Sequence, residues 1–138
     1  MKEIFVDTSA FYAFADSRDP YYRLARRFFQ ENRMPLVSTN FIFAETLSLV
    51  TKRLGKKTAI KFGYGFKSSH LIRMIYVSVE HQEKAWRIFS QAKDKDYDYI
   101  DCICFVCMDA QGIGEAFTFD KHFRQKGYKM LPAMEEIK

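Results

Sequence analysis

A chain of 138 residues, 48% hydrophobic and 17% aromatic, is long enough for one domain with a bulky core. No apolar run reaches the ~18 residues of a membrane span, no secretory signal pattern is visible, and the three cysteines are an odd number. These features argue against membrane and disulfide-stapled proteins and favour a cytoplasmic one. The net charge of +5 is compatible with a nucleic-acid partner without identifying one.

The first predicted element is a short buried strand, the apolar run 4–6. Asp7 ends this run, and Thr8 and Ser9 are predicted to cap a helix from Ala10. A carboxylate at the end of a buried strand is costly unless it is paired. In open α/β folds the carboxyl ends of the strands are where ligands bind. Asp7 is therefore the first candidate site residue.

Strands and helices are predicted to alternate along the rest of the chain. The next helix is predicted to begin at Pro20, with Asp19 as its cap, and another is capped by Asn40 and ended by Gly55. The helix capped by Asn40 covers 41–54. The remaining predicted strands are 35–38, 72–78, 116–119 and 128–131, and the remaining predicted helices are 56–69, 80–93, 99–111 and 121–125. This alternation indicates a single α/β domain over 1–138, with a parallel sheet covered on both faces.

Hydrophobic spacing also predicts which side chains face the core. Trp86 and Phe89 are expected to point inward from the helix 80–93, together with Ala85 and Ile88. The helix 99–111 is very apolar, and Asp98 is its predicted cap.

Four of the seventeen acidic residues have strongly apolar neighbours. Asp7 and Asp120 follow predicted strands, whereas Glu45 and Asp101 lie in or near the first turns of apolar helices. In a parallel sheet with right-handed crossovers, strand ends and the following helix starts meet at one edge. We therefore expect the four carboxylates to converge.

Such convergence requires a cation. Two carboxylates ~4 Å apart repel by roughly 4 kcal/mol at an effective dielectric of 20. Oxygen ligands without histidine or cysteine favour Mg²⁺ or Mn²⁺ over zinc. These ions activate water and stabilise charge on phosphoryl oxygens, so the pattern favours phosphodiester hydrolysis.

Each acid also has a purely structural interpretation. Asp101 can be the acidic partner of a capping box with Asp98, and Asp7 and Asp120 can form turns at strand ends. Glu45 is the hardest to explain in this way, because a mid-helix glutamate gains nothing from a cap. Together the four favour a site over four coincidences.

Other polar and basic residues have two interpretations. Thr8, Ser9 and Thr118 either hydrogen-bond the carboxylates or serve in ordinary capping and packing. His122 either contacts substrate or lies on the surface. Six basic residues form either a solvated face or an RNA-facing patch: Lys52, Arg53, Lys56, Lys57, Lys61 and Lys67.

The cysteines Cys102, Cys104 and Cys107 lack a partner pair with zinc-site spacing, so they are predicted to be core residues. Asp109, late in the helix 99–111, is predicted to be solvated; the alternative is that it hydrogen-bonds a residue that binds the metal.

The segments IFVDTSAFYAF, FIFAETLSLV, DYIDCICFVCMDAQGI and AFTFDKHF, in that order and spacing, resemble the four motif blocks of PIN-domain ribonucleases, and in particular of VapC-type toxins. The resemblance covers Glu3 to about Leu131. It implies that Asp7, Glu45, Asp101 and Asp120 are the catalytic and metal-binding quartet.

The resemblance further implies a three-layer α/β/α fold with a parallel five-stranded sheet in the order 3-2-1-4-5. It implies RNA cleavage with Mg²⁺ or Mn²⁺, a homodimer, and inhibition by a small antitoxin. The chain departs from the family pattern at Asp98, where serine or threonine is commoner. The extra charge is expected to alter metal affinity.

Three other functions compete with a ribonuclease. A catalytically idle PIN-like module that binds RNA or protein has no reason to retain four clustered acids. A phosphoacceptor receiver domain wants paired acids after its first strand, and a haloacid-dehalogenase-like phosphatase needs an acid two residues after Asp7. Thr8 and Ser9 occupy those positions, which argues against both.

Overall fold

Strands and helices alternate from Ile4 to Leu131 in the computed structural model, which describes residues 2–133. The strands are β1 (Ile4–Val6), β2 (Leu36–Thr39), β3 (Ile72–Ile75), β4 (Glu115–Phe117) and β5 (Lys129–Leu131). The helices are α1 (Thr8–Ala15), α2 (Tyr22–Glu31), α3 (Asn40–Leu54), α4 (Lys56–Ser68), α5 (Val79–Gln91), α6 (Tyr99–Gln111) and α7 (His122–Gln125).

The five strands form one parallel sheet in the order β3-β2-β1-β4-β5, which confirms the predicted order. β1 is central, because Phe5 pairs with Val37 of β2 on one side and with Ala116 of β4 on the other. The chain winds outward from β1 to β3 and then returns to β4. The winding direction reverses at the boundary between β1 and β4, which is called the switch point of the sheet. Ligands bind at switch points in open α/β sheets.

The helices cover both faces of the sheet. Right-handed crossovers place α1 to α4 on one face while the chain winds towards β3, and α5 to α7 on the other while it winds towards β5. The contacts agree with this division, because α1 packs on α2 and α3, α3 on α4, and α6 on both α5 and α7. All of β1 is buried, as expected of a central strand between two helical layers. The predicted three-layer α/β/α architecture is confirmed.

The core is dominated by aromatic and aliphatic side chains from the sheet and α6. Phe5 and Phe117 of the sheet are fully buried, as is Phe105 of α6. Every residue of α6 from Asp101 to Met108 is buried, because this helix packs against α5 and α7 and lies in the main hydrophobic core. Of the helices within residues 2–133, none combines the length and apolarity needed to cross a membrane.

The starts of the first two helices differ from the prediction. α1 begins at Thr8, and its cap is Asp7, whose carboxylate accepts a hydrogen bond from the Ala10 amide at 3.3 Å. α2 begins at Tyr22, because the Asp19 carboxylate accepts from the Tyr21 amide at 2.8 Å and closes a local turn. Asp19 is therefore a turn residue and not a helix cap.

Several further boundaries were predicted wrongly. β3 ends at Ile75 and not at residue 78, because Ser78 caps α5 by accepting a hydrogen bond from the His81 amide. Thr39 caps α3 by accepting a hydrogen bond from Ile42, whereas the side chain of Asn40 accepts from the Val77 amide. β4 ends at Phe117 and not at residue 119, because the Thr118 hydroxyl donates to Asp7 and the Phe119 amide donates to the Ser9 hydroxyl instead of to a neighbouring strand.

The predicted inward face of α5 is wrong in part. Ala85 is buried, but Trp86 is 51% exposed and Phe89 is 39% exposed. Both rings pack on the half-buried ring of Tyr99 at the edge of the α5–α6 contact. The small Ala85 lets α5 approach α6 closely and leaves the two large rings at the rim.

Candidate active site

A cavity of about 500 Å³ opens at the carboxyl edge of the sheet, beside the ends of β1 and β4. It lies where the reversal of winding predicts a ligand site. All four predicted site residues border it: Asp7, Glu45, Asp101 and Asp120. The cavity is also lined by Tyr12, Asp19, Tyr21, Leu49, Arg53, Asp98 and Phe119.

Asp7 is a buried carboxylate held by neutral donors. The Ser9 hydroxyl donates to Oδ1 at 2.8 Å, and the Thr118 hydroxyl donates to Oδ2 at 2.9 Å. Burial raises the pKa of Asp7 to about 7; the hydrogen bonds from Ser9, Thr118 and Ala10 oppose this rise, and the charge of Asp120 adds to it. Asp7 is therefore expensive to ionise until a cation arrives.

Asp101 lies in the first turn of α6 and shares a capping box with Asp98. The Asp101 amide donates to the Asp98 carboxylate at 2.7 Å, and the Asp98 amide donates to Asp101 Oδ2 at 3.2 Å. Burial raises the pKa of Asp101 to about 6, and the charges of Asp98 and Asp120 add to the rise. The capping interpretation is thus correct, and it leaves the carboxylate on the cavity wall.

Asp120 and His122 lie on the turn that follows β4. The His122 amide donates to Asp120 Oδ1 at 2.9 Å, and the Asp120 amide donates to Thr118 at 3.0 Å. The His122 ring Nδ1 lies 3.0 Å from Asp101 Oδ2 and 3.2 Å from Asp120 Oδ1. The predicted alternative of a surface histidine is wrong, because the ring is held between two carboxylates.

Glu45 projects into the same cavity from the second turn of α3. It is half-buried, and it accepts a short hydrogen bond from the Thr8 hydroxyl of α1. Thr8 and Ser9 therefore each hold one acid, while Thr118 holds Asp7 from the other side of the switch point. The hydroxyl groups do hydrogen-bond the carboxylates, as one of the two interpretations predicted.

The donor set fits a hard divalent cation. Ligand atoms of Asp101, Asp120 and His122 all lie within 4.8 Å of one another. Asp7 and Glu45 border the same space but lie outside this tightest group. Carboxylate oxygens suit Mg²⁺ and Mn²⁺, whereas the imidazole of His122 is a ligand type that later transition metals also accept. The four acids can hold a metal here, and His122 either joins them as a ligand or supports Asp101 and Asp120.

The three cysteines are free and buried in α6. Burial raises the pKa of Cys102 and Cys107 to about 11, which opposes the thiolate form that binds metals. Asp109 is exposed and accepts a hydrogen bond from the Tyr128 hydroxyl, away from the cavity. These residues are therefore structural.

Sequence reasoning missed two features of this cavity. The contact of His122 with Asp101 crosses 21 positions of sequence, so sequence spacing does not reveal it. Arg53, one of the six basic residues with two interpretations, lines the cavity with Glu45 and Leu49. The four-residue spacing of Glu45, Leu49 and Arg53 along one helix was the available signal.

Comparison with known proteins places this geometry in a family. The PIN-domain family model matches residues 4–128. Two curated relatives, from the CDC 1551 / Oshkosh and H37Rv strains of Mycobacterium tuberculosis, are both named 23S rRNA-specific endonuclease VapC20. Each is 27% identical over 125 residues, covering 91% of this chain and 95% of the relative.

Solved structures show the same fold. The crystal structure of Mycobacterium tuberculosis VapC20, described as a sarcin-ricin loop cleaving toxin, superposes with a TM-score of 0.85 at 26% identity. That match covers 91% of this chain and 95% of the other. DNA-bound VapBC from Salmonella typhimurium matches with a TM-score of 0.67 at 13% identity, covering 94% and 97%, and supports the fold alone. The family model spans most of the chain, and this protein therefore belongs to the PIN-domain family.

Proposed function

We propose that this protein is a metal-dependent endoribonuclease, the toxin of a toxin–antitoxin pair, formed by a single PIN-like domain over 1–138. The observation that carries the proposal is the convergence of four carboxylates on one cavity at the switch point of a PIN-domain sheet. The VapC20 relatives are named as ribosomal RNA endonucleases, which supports RNA as the substrate class.

The quartet would hold Mg²⁺ or Mn²⁺: Asp7, Glu45, Asp101 and Asp120. A bound ion would supply an activated water and stabilise charge on the phosphoryl oxygens. The chain's own part is to fix the ligands. Ser9 and Thr118 orient the two oxygens of Asp7, Thr8 orients Glu45, and His122 spans Asp101 and Asp120.

Two partners are proposed beside the RNA. The family resemblance supports a small antitoxin and a homodimer, and the exposed rings of Trp86 and Phe89 are an apolar surface available to a partner. Light scattering of the purified protein measures the dimer directly. The antitoxin would be identified as the product of a short neighbouring gene that encodes a DNA-binding protein. That product should co-purify with this chain when the two are expressed together.

The test of the activity compares Asp7→Asn and Glu45→Gln with the wild-type protein on loop-containing ribosomal RNA fragments in Mn²⁺. We expect each variant to abolish cleavage and to keep the fold, because each removes a charged ligand and also relieves repulsion between the acids. Asp96→Asn and Glu83→Gln make the same changes at exposed positions and should cleave normally. Undiminished cleavage by both site variants would remove the quartet from the mechanism.

A catalytically idle RNA- or protein-binding module remains the competing function. It differs in one respect that the same experiment measures. An idle module binds RNA without cleaving it at any metal concentration, in the wild type as well as in the variants.

A further inference from the structure

We propose that RNA lies across this cavity between a cationic wall at Arg53 and an aromatic wall at Tyr21 and Phe119. Arg53 binds a phosphate outside the scissile position, and the aromatic pair stacks on an unpaired base. The inference rests on the proposed ribonuclease function and assigns Arg53, Tyr21 and Phe119 as the residues that position the RNA beside the acids.

The charge of the cavity creates the need for a cationic anchor. Six carboxylates border it: Asp7, Asp19, Glu45, Asp98, Asp101 and Asp120. One or two divalent ions would not neutralise all of them, so an incoming phosphodiester strand meets net repulsion. Among the lining residues that the structure describes, Arg53 is the one basic side chain.

Arg53 is positioned for a phosphate beyond the reacting one. Glu45, Leu49 and Arg53 border the cavity at four-residue intervals along α3, which places Arg53 about 12 Å along the helix axis from Glu45. Its guanidinium lies over the Tyr12 ring, 5.2 Å from the centroid, which limits its orientations.

Across residues 2–133 the guanidinium of Arg53 forms no direct ion pair. No carboxylate oxygen of these residues lies within 4.0 Å of it, and its polar neighbour is the Tyr12 hydroxyl, which donates to Asp16 at 2.6 Å. A planar, always charged fork without a carboxylate partner is suited to a phosphate.

The aromatic wall is formed by Tyr21 and Phe119, next to Asp120. Phe119 immediately precedes Asp120, and its amide donates to the Ser9 hydroxyl at 2.9 Å. The Tyr21 ring stacks on the Phe119 ring with centroids 4.4 Å apart and planes 8° apart. Both rings are half-buried and both border the cavity. The wall is therefore rigid, planar and adjacent to a predicted metal ligand.

A stacked aromatic pair beside a nuclease centre is suited to a nucleobase. Bases stack on aromatic side chains with little sequence preference, and the base must first be free of its own helix. An RNA loop presents such bases together with the phosphates that Arg53 would bind, whereas a duplex keeps them stacked inside. The two walls together therefore favour unpaired RNA.

The test measures RNA affinity apart from cleavage. Fluorescence anisotropy of a labelled RNA loop is recorded with Glu45→Gln protein in Mn²⁺, into which Arg53→Ala or Tyr21→Ala is introduced. We expect each to weaken binding by about tenfold, within the range of a phosphate contact or one stacked base. Tyr21→Phe should recover most of its loss, because the ring is kept, and Arg53→Lys should recover only part, because the charge is kept but the planar fork is lost.

The matched controls are Lys52→Ala, the exposed neighbour of Arg53 on α3, and Tyr64→Ala, an exposed tyrosine on α4. Both lie outside the cavity lining and should bind RNA as before. The Mn²⁺-induced rise in melting temperature should be the same in all variants, which separates a lost RNA contact from a damaged metal site.

Unchanged affinity in both Arg53→Ala and Tyr21→Ala, or equal affinity for a duplex of the same length, would overturn the inference. Absence of cleavage by the wild-type protein would instead count against the proposed function. In that case the same binding series on the otherwise unmutated chain still decides whether the two walls hold RNA.

Discussion

Folding strongly alters the acid–base chemistry of Asp7. Its carboxylate is buried with three neutral donors, and among the described residues it forms no ion pair. Burial raises the pKa of Asp7 from 3.8 to about 7, and it raises the pKa of Asp101 to about 6. The folded state therefore binds more protons than the unfolded state between pH ~4 and ~7. The contribution of these two groups to stability falls as pH rises through that window.

This linkage predicts the behaviour of Asp7→Asn in metal-free buffer. The variant should melt above the wild type at pH 8, where ionised Asp7 costs up to ~4 kcal/mol. The difference should shrink towards pH 5, where Asp7 is protonated in the folded protein. Thermal melts across this range measure it, with exposed Asp96→Asn as the control. If the difference in melting temperature did not depend on pH, the pKa of Asp7 would not be raised by burial.

His122 gives a second prediction at the residue scale. Its ring nitrogen is shared between Asp101 and Asp120, so its removal leaves both ligands without their common donor. We expect His122→Ala to weaken Mn²⁺ binding by about 10- to 100-fold, as loss of supporting contacts typically does. Calorimetric titration measures the affinity, and exposed His70→Ala is the matched control. Equal Mn²⁺ affinity in both variants would show that His122 does not contribute to metal binding.

The elements differ in how far the sequence predicts them. α6 is predicted to the residue, because Asp98, Asp101 and Gly112 supply a capping box and a left-handed end around an unbroken apolar run. The buried face of α5 is not predicted correctly, because Ala85 and Trp86 are both apolar and periodicity does not distinguish which of them packs on α6. The close approach of two helices selects the smaller side chain, and that selection depends on the partner.

The contrast between α5 and α6 predicts two very different costs of truncation. Phe105→Ala should lower the free energy of unfolding by about 3–5 kcal/mol, because the ring is fully buried among Tyr97, Phe123 and Tyr128. Trp86→Ala should cost much less in the monomer, since half of the side chain is already exposed. Urea unfolding measures both. Similar costs would indicate that a second copy covers Trp86 in solution.

At the scale of the whole molecule, topology brings the site together. Asp7 and Asp120 come from either side of the switch point, and Glu45 and Asp101 come from helices on opposite faces of the sheet. Their convergence follows from a parallel sheet with right-handed crossovers, which is why the sequence predicts it. The contacts of His122 and Arg53 do not follow, since they depend on side-chain directions that topology leaves open.

The last prediction concerns the response of the whole fold to metal. A divalent ion that binds only the folded protein stabilises it by about 2.7 kcal/mol at a hundred times its dissociation constant. That is several degrees in melting temperature for a chain of 138 residues. Because Asp7 and Asp101 must lose protons to act as ligands, the rise should be larger at pH 8 than at pH 5.5.

The control for ionic strength is NaCl matched to the Mn²⁺ solution, and Asp101→Asn should reduce the rise by removing one charge from the site. The pH dependence distinguishes this site from weak binding at the exposed acids, whose carboxylates are ionised at both pH values. A melting temperature unmoved by millimolar Mn²⁺ at pH 8 would favour the idle binding module. A rise that is equal at both pH values would place the ion away from Asp7 and Asp101.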